Sequence, residues 1–506
     1  MDRLTIQKYG TPSLTLMERA GAAVVKAILE RFAEPAGKGV LIVAGKGNNG
    51  GDGFVVGRLL REQGLSCEIA PLAKRNEIST DAAHNLEAYL TAGGKVVDID
   101  ADRGALLNDL IAGKGLLVDA ILGTGTKYEI RGIYADAIRA MNRSGLPIVA
   151  VDIPSGLDAD KGTVLGVCIQ AAMTVALAYP KLGQVIHPAV EYVGELMVAE
   201  IGIEPAAVSE VAPGAELLTP EQVRPLVPLR KPDSHKGTYG HVVVIAGSRG
   251  KTGAAILASR ACMRAGAGLT TLAAPRSLNN VFAGAMIEVM TEPLRDTAEE
   301  EIESLSDDEW RGLLERKRVA LFGPGIGVTE STRNNLRWLL RHLNIPWVID
   351  ADGLNNLALD IDRLRKARTA PILTPHPGEM ARLIGKDVST VNNDRIGVSR
   401  AFATEHRCYV VLKGARTVLA TPGGKISINP TGNPGMASGG MGDVLAGILA
   451  ALLAQGLSPE EAMKLGVYLH GVIADRVAAE RGMLGMIASD IIDGLPAGLR
   501  SLSAAV

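Results

Sequence analysis

The chain has 506 residues, 47% hydrophobic, 21% charged and only 3% aromatic, with 59 glycines and a formal net charge of -2. Single cores rarely grow beyond about 300 residues, so this length calls for two large domains, and the composition suits an α/β enzyme packed with Ala, Val, Leu and Ile. A near-neutral balance leaves no electrostatic footprint for nucleic acid or an anionic membrane, so small molecules are the expected partners.

Cys67, Cys168, Cys262 and Cys408 lie far apart and form no Cys-x-x-Cys pair, which indicates neither a zinc site nor a disulfide framework and fits a reducing cytosol. The N-terminus has no long apolar core, and no uninterrupted apolar run reaches the length needed to span a bilayer. The expectation is a cytoplasmic protein that is not exported.

Short β-like runs alternate with longer helical patterns, the mark of a parallel sheet with crossover helices, and the pattern occurs twice. In the first half, residues 40–44, 116–120 and 148–152 read as buried strands, two of them ending at or beside an aspartate. After the first comes Gly45-Lys46-Gly47-Asn48-Asn49-Gly50-Gly51-Asp52-Gly53, followed by a helix-like stretch at 54–63. It matches Gly-x-Gly-x-x-Gly, with Glu68 near the distance expected of a ribose-binding acid. A pyrophosphate at that helix start would nevertheless be repelled by Asp52. Asn48, Asn49 and Asp52 offer hard oxygen donors better suited to an alkali or alkaline-earth cation, or to a polar ligand edge.

Asp119 opens Asp119-Ala120-Ile121-Leu122-Gly123-Thr124-Gly125-Thr126, and Asp152 opens Asp152-Ile153-Pro154-Ser155-Gly156-Leu157-Asp158. Ligands of open α/β sheets bind beyond the carboxyl ends of the strands, so three polar loops converge on one crevice. Each aspartate alone also reads as a turn or cap residue. The proline-bearing stretch 204–234 is the expected linker.

The first half resembles the YjeF N-terminal domain family, the NAD(P)H-hydrate epimerases, through residues 48–52, 118–125 and 151–158, over about residues 10 to 205. The resemblance implies K⁺ bound by Asn49, Asp119 and Ser155. It implies that Asn48, Asn49, Gly50, Gly51, Asp52, Gly123, Thr124, Gly125, Thr126, Lys127, Tyr128, Glu129 and Asp152 contact the hydrated nucleotide. Lys181, in Tyr179-Pro180-Lys181-Leu182-Gly183, matches a family lysine near the site and joins Asp152 as a catalytic candidate; a solvated loop lysine is the alternative.

In the second half, residues 242–246, 319–322, 347–350 and 409–412 play the part of strands. Ala246-Gly247-Ser248-Arg249-Gly250-Lys251-Thr252 looks like a Walker A loop, but position 245, where that motif needs glycine, is Ile245. The densest glycine run is Gly432-Asn433-Pro434-Gly435-Met436-Ala437-Ser438-Gly439-Gly440-Met441-Gly442-Asp443, followed by the apolar stretch 444–453. Free N–H groups and the positive end of the following helix suit it to hold a phosphate. Asp443 beside such a cradle reads either as a helix cap or as a base that takes a proton from a hydroxyl.

With Gly323-Pro324-Gly325-Ile326-Gly327, Asp350-Ala351-Asp352-Gly353, Thr374-Pro375-His376-Pro377-Gly378-Glu379 and Lys413-Gly414-Ala415-Arg416-Thr417, this loop resembles the ribokinase-like fold. Within that fold it is similar to the YjeF C-terminal family of ADP- or ATP-dependent NAD(P)H-hydrate dehydratases, from about residue 225 to the end. The resemblance implies that Lys413, Gly414, Ala415, Arg416, Thr417 and Gly442 bind the adenine nucleotide. Ala254, Gly325, His376 and Asp443 would face the substrate, with Mg²⁺ bridging phosphate oxygens.

The fold expected is α/β in two domains, a Rossmann-like three-layer αβα domain at 1–215 and a ribokinase-like α/β domain at 225–506. Together they imply a homo-oligomeric repair enzyme that epimerises R and S hydrates of NADH or NADPH. It would dehydrate the S form at the expense of ADP or ATP, with Asp443 as base and Asp152 in acid–base work. A vitamin or sugar kinase fused to a binding domain would share the fold and Asp443, and a non-catalytic nucleotide sensor would share the loops.

Overall fold

The run Val40–Ala44 is apolar at every position, as a strand covered on both faces requires, and all five residues are buried. The computed structural model, which describes residues 1–99 and 104–503, places it inside a seven-stranded, all-parallel sheet. Across that sheet lie Lys95–Val96, Cys67–Pro71, Val40–Ala44, Leu116–Ala120, Ile148–Val151, Met173–Leu177 and Glu195–Ala199. The chain winds outward to one edge, then returns to build the other side. This doubly wound order has its switch point between Val40–Ala44 and Leu116–Ala120, where a crevice opens beyond the strand ends.

Side chains alternate between the faces of a strand, so this one strand serves two cores. Val40, Ile42 and Ala44 pack with Val24, Val25 and Ile28 of helix Ser13–Arg31, whereas Leu41 and Val43 pack with Ala135, Ile138 and Met141 of helix Gly132–Arg143. The result is a three-layer αβα unit. Helix Asn48–Glu62 presses close to the sheet because Gly53 lacks a side chain: a Cβ there would lie 2.5 Å from that of Ala120.

The second unit is built on a ten-stranded sheet. Across it lie Met290–Leu294, Leu269–Pro275, His241–Ile245, Val319–Phe322, Trp347–Ile349, Ile372–Leu373, Tyr409–Leu412, Val418–Ala420, Ile426–Ile428 and Ala215–Leu217. The first seven are parallel to one another, and Val418–Ala420 is antiparallel to both of its neighbours. One face is covered by helices Thr252–Arg264, Met441–Ala454, Pro459–Arg481 and Ala488–Ser503, whose apolar residues join Val242, Val244 and Leu321 in one core.

The chain divides into compact units Met1–Pro213 and Gly214–Val506. The stretch 204–234, expected to be a linker, carries helix Pro205–Val211 and strand Ala215–Leu217. That strand hydrogen-bonds to Ile426–Ile428, so residues after 213 belong to the second sheet despite their prolines. The helix expected at 54–63 begins at Asn48, which turns the first glycine-rich loop into a helical first turn. All four cysteines are buried and unpaired, and no helix among the described residues is long and apolar enough to cross a membrane.

Candidate active sites

In the first unit, the loops after Val40–Ala44, Leu116–Ala120 and Ile148–Val151 meet at a cavity of about 880 Å³. Asn48, Asn49, Asp52, Gly123, Thr124, Gly125, Thr126, Tyr128, Asp152 and Lys181 line it. Beneath its floor Asp119 is fully buried. Its Oδ1 accepts from Ser155 Oγ at 2.5 Å and from the Ile121 amide at 3.2 Å, and its Oδ2 accepts from the Ser155 amide at 2.8 Å. Ser155 Oγ in turn accepts from the Leu122 amide at 2.9 Å, and the Leu122 carbonyl accepts from Asn49 Nδ2 at 3.2 Å. Burial pushes the Asp119 carboxyl up to about 6 against the pull of these donors, so a nearby cation would favour its charged form.

Asp152 follows its strand with φ 65°, a left-handed conformation that aspartate tolerates better than most residues. The turn is clamped on both sides: the Gln184 side chain donates to the Asp152 carbonyl at 2.6 Å, and the Asp152 carboxylate accepts from the Leu177 amide at 3.0 Å. Lys181 forms an ion pair with that carboxylate and donates to the Leu177 carbonyl at 3.0 Å. Asp52, also buried, has no such cation bonded to it among the described residues. Burial, then the charges of Asp152 and Asp2, hold its carboxyl well above the usual range. The cavity thus sets a charged carboxylate–ammonium pair near a carboxyl that favours its neutral form.

In the second unit, five neighbouring parallel strands deliver their C-terminal loops to one place. The loop after His241–Ile245 rests on the one after Val319–Phe322: the Gly247 amide donates to the Pro324 carbonyl at 2.9 Å, and Ser248 Oγ donates to the Gly325 carbonyl at 2.8 Å. Gly325, at φ 62°, lies so close to Ala254 that a Cβ would stand 3.2 Å from the alanine's. Lys251 pairs with Asp352 at 2.8 Å. Lys413 pairs with the buried Asp350 at 2.9 Å and approaches Glu379 at 3.7 Å, while Thr374 Oγ donates to Asp350 at 2.6 Å.

Above this cluster begins helix Met441–Ala454, preceded by Gly440 at φ 88°. The amides of Gly439, Gly440, Met441, Gly442 and Asp443 have no acceptor among the described residues, which leaves a row of N–H donors beside the positive helix end. Gly442 touches the cluster, since a Cβ there would lie 3.0 Å from Lys413 Nζ. Burial, reinforced by the charge of Asp350 and opposed by Lys413, pushes the Asp443 carboxyl up to about 7. A carboxyl so tuned, at a row of amides, can exchange a proton near neutral pH.

The matched family models fall on these two units. Residues 13–183 match the family described as YjeF-related protein N-terminus, and residues 242–497 match NAD(P)H-hydrate dehydratase. The chain is 44% identical to the bifunctional NAD(P)H-hydrate repair enzyme of Moorella thermoacetica over 99% of its own length and 95% of that protein's. The chain belongs to the family of bifunctional NAD(P)H-hydrate repair enzymes. The enzyme of that name from Escherichia coli is 36% identical over 98% of this chain and 91% of its own. Among solved structures, the ADP/ATP-dependent NAD(P)H-hydrate dehydratase from Bacillus subtilis, co-crystallised with ATP and Mg²⁺, is 30% identical. It covers 56% of this chain and 97% of its own, with a TM-score of 0.48.

Not every residue singled out in this repair-enzyme family member reaches a cavity. Gly50 and Gly51 are packed inside the first turn of their helix: a Cβ would lie 2.0 Å from the Gly45 carbonyl in one case and 2.7 Å from Met17 Sδ in the other. Lys127 bonds Asp158 and Asp160, at 3.2 and 2.7 Å, and Glu129 bonds Arg131, so both turn away from the cavity lining. Glu68 is held by Lys95 and Lys114 and pairs in register with Leu41, near the start of its strand rather than at the carboxyl end where the loops converge. His376 caps helix Pro377–Ile384, its Nδ1 accepting from the Gly378 and Glu379 amides at 3.0 and 3.4 Å. That capping bond fixes the ring and leaves Nε2 3.5 Å from Glu379 Oε1. Asp350 and Glu379 stood inside recognised motifs but were not singled out; their position after strand ends was the available signal.

Proposed function

We propose that the first unit interconverts the R and S hydrates of NADH or NADPH, and that the second dehydrates the S form using ADP or ATP. The observation that carries this reading is Asp443, a carboxyl tuned near neutrality at the row of free amides over the Lys413–Asp350 pair. In the second unit Asp443 takes the proton of the substrate hydroxyl, and the freed oxygen attacks the terminal phosphoryl of the nucleotide, breaking its phosphoanhydride bond and releasing AMP from ADP or ADP from ATP. Lys413, Gly414, Ala415, Arg416, Thr417 and Gly442 hold the nucleotide, while Ala254, Gly325 and His376 face the hydrated ring. Phosphate then departs with the C–O electron pair, and loss of a ring proton restores the reduced nicotinamide. The row of amides stabilises charge on the transferring group without reorganising during the reaction.

In the first unit Asp152, held by Lys181, handles the proton as the hydroxyl leaves with assistance from the ring nitrogen and water returns on the opposite face. Asn48, Asp52, Gly123, Thr124, Gly125, Thr126 and Tyr128 surround the hydrate. The donor set at Asn49, Asp119 and Ser155 is all oxygen on its ligating side and carries one negative charge, which fits K⁺. Bound there, the ion would supply a fixed positive charge beneath the substrate. Mg²⁺ suits the second unit as an ion carried on nucleotide phosphates, because the described residues hold no group of three or more His, Cys, Asp or Glu side chains able to bind a metal.

We propose further that the protein is cytoplasmic and a homo-oligomer, and light scattering on the purified chain tests the assembly. The decisive experiment supplies mixed hydrate epimers, K⁺, Mg²⁺ and ADP or ATP, and follows recovery of the reduced cofactor together with free phosphate. Rapid consumption of both epimers is expected. A stable phosphorylated product would instead identify a kinase.

A further inference from the structure

Arg395 opens helix Arg395–His406 and is 7% exposed, yet no carboxylate among the described residues pairs with it. Its guanidinium is occupied by backbone carbonyls alone. Nη1 donates to Ala415 at 2.5 Å, and Nη2 donates to Leu412 at 3.1 Å and Lys413 at 3.3 Å; Nε has no partner. Burial pulls it down to about 10, which leaves it charged at neutral pH.

A peptide unit is planar, with C=O and N–H pointing in opposite directions. Because Arg395 claims the carbonyls of Lys413 and Ala415, the N–H groups of the same peptide units, those of Gly414 and Arg416, point away from it. Neither finds an acceptor among the described residues. The backbone is bent to this purpose, with Gly414 at φ 135° and Arg416 at φ 58°. A Cβ at Gly414 would stand 3.0 Å from Arg395 Nη2, so the guanidinium fills the space a side chain would take.

We infer that Arg395 is a positioning residue of the second site: held beneath the loop 412–417, it turns the Gly414 and Arg416 amides outward to receive the phosphates of the adenine nucleotide. This rests on the reading of that loop as the nucleotide site. The arginine's planar fork spans several carbonyls at once, which a lysine's single ammonium cannot reproduce.

The test uses the full chain with Arg395→Met and Arg395→Lys. Nucleotide KM, hydrate KM and kcat are measured for dehydration, with epimerase activity and Tm recorded alongside. Hydrogen bonds to a charged group are strong enough that Arg395→Met should raise nucleotide KM about tenfold or more, with hydrate KM nearly unchanged. Arg395→Lys should fall between. Equal rises in both KM values, or a loss of Tm with nucleotide KM intact, would overturn the proposal in favour of a merely structural arginine. If Arg395→Met does not fold, Arg395→Lys with wild-type nucleotide KM overturns it equally. Calorimetric titration of the wild-type chain with ADP and ATP separates the premises: no nucleotide binding there sinks the site itself, whereas wild-type binding left unaltered in the variants sinks only the role of Arg395.

Discussion

Lys413 Nζ lies 2.9 Å from Asp350 Oδ1, and the two form a buried pair directly under the helix start that carries Asp443. Their charges act on Asp443 in opposite directions, Asp350 raising its carboxyl and Lys413 lowering it. Burial is the main reason the Asp443 carboxyl is raised, and the pair adjusts the pH at which the proposed base is available.

A base works only when unprotonated, so kcat/KM for dehydration should climb as pH rises through about 7 and then level off. Lys413→Met removes the opposing charge and should move that limb to higher pH. The measurement is a pH–rate profile of both forms, and an unmoved limb would argue against Asp443 as the titrating group.

Asp443→Asn should reduce dehydration by about a hundredfold or more while leaving epimerisation intact. Its effect on stability has the opposite sign. The folded protein holds the Asp443 proton to higher pH than the unfolded chain does. Stability is thus lost as pH rises from the usual carboxylate range through about 7. The asparagine variant should consequently melt higher than wild type above neutrality, with the gap closing as pH falls into the usual carboxylate range, as thermal unfolding across pH would show.

Asp152→Asn keeps a residue type that accepts the left-handed backbone, so its effect isolates the carboxylate from the turn. We expect epimerisation to fall by about a hundredfold or more, with Lys181→Met behaving similarly, and dehydration of the pure S hydrate to continue. Given mixed epimers, either variant should consume one form and strand the other.

Asp119 accepts three hydrogen bonds in a dry site, and an asparagine there would face one of those donors with its own N–H₂. Asp119→Asn should lower stability by about 1–3 kcal/mol and abolish any stimulation of the epimerase by K⁺. Replacing K⁺ by a bulky organic cation should slow wild-type epimerisation and leave the Asp119→Asn rate where it was. Urea titration and epimerase assays read the two effects.

Helix Met441–Ala454 lies against helix Thr252–Arg264 at Gly447, where a Cβ would meet the Ala258 carbonyl at 2.3 Å. Gly447→Ala should cost about 1–3 kcal/mol through overpacking. Because the same helix aims Asp443, kcat for dehydration should fall as well, with the epimerase as an unaffected control.

Much of this was legible in residue order because the signals are local. Continuous apolar runs such as 40–44 and 319–322 must be covered on both faces, and in a parallel sheet that places the following polar loops at one rim. Asp119 and Asp152 stand out that way, and Asp443 through the glycine run at the start of its helix. In the Walker-like stretch 246–252, the Gly247 amide and the Ser248 hydroxyl are spent on the loop 323–327.

Residue order was enough to place the parallel strands of both sheets, their polar loops and the glycine turn before Asp443, since backbone freedom and apolar patterning are properties of neighbours along the chain. That His376 caps a helix, that Lys127 and Glu129 pair with other side chains, and that Arg395 reaches the backbone of residues 412–415 emerges only once the chain is folded. Those outcomes depend on which groups meet across the fold. A hydrogen bond or ion pair forms with whatever lies within about 3 Å, and separation along the chain does not record that distance.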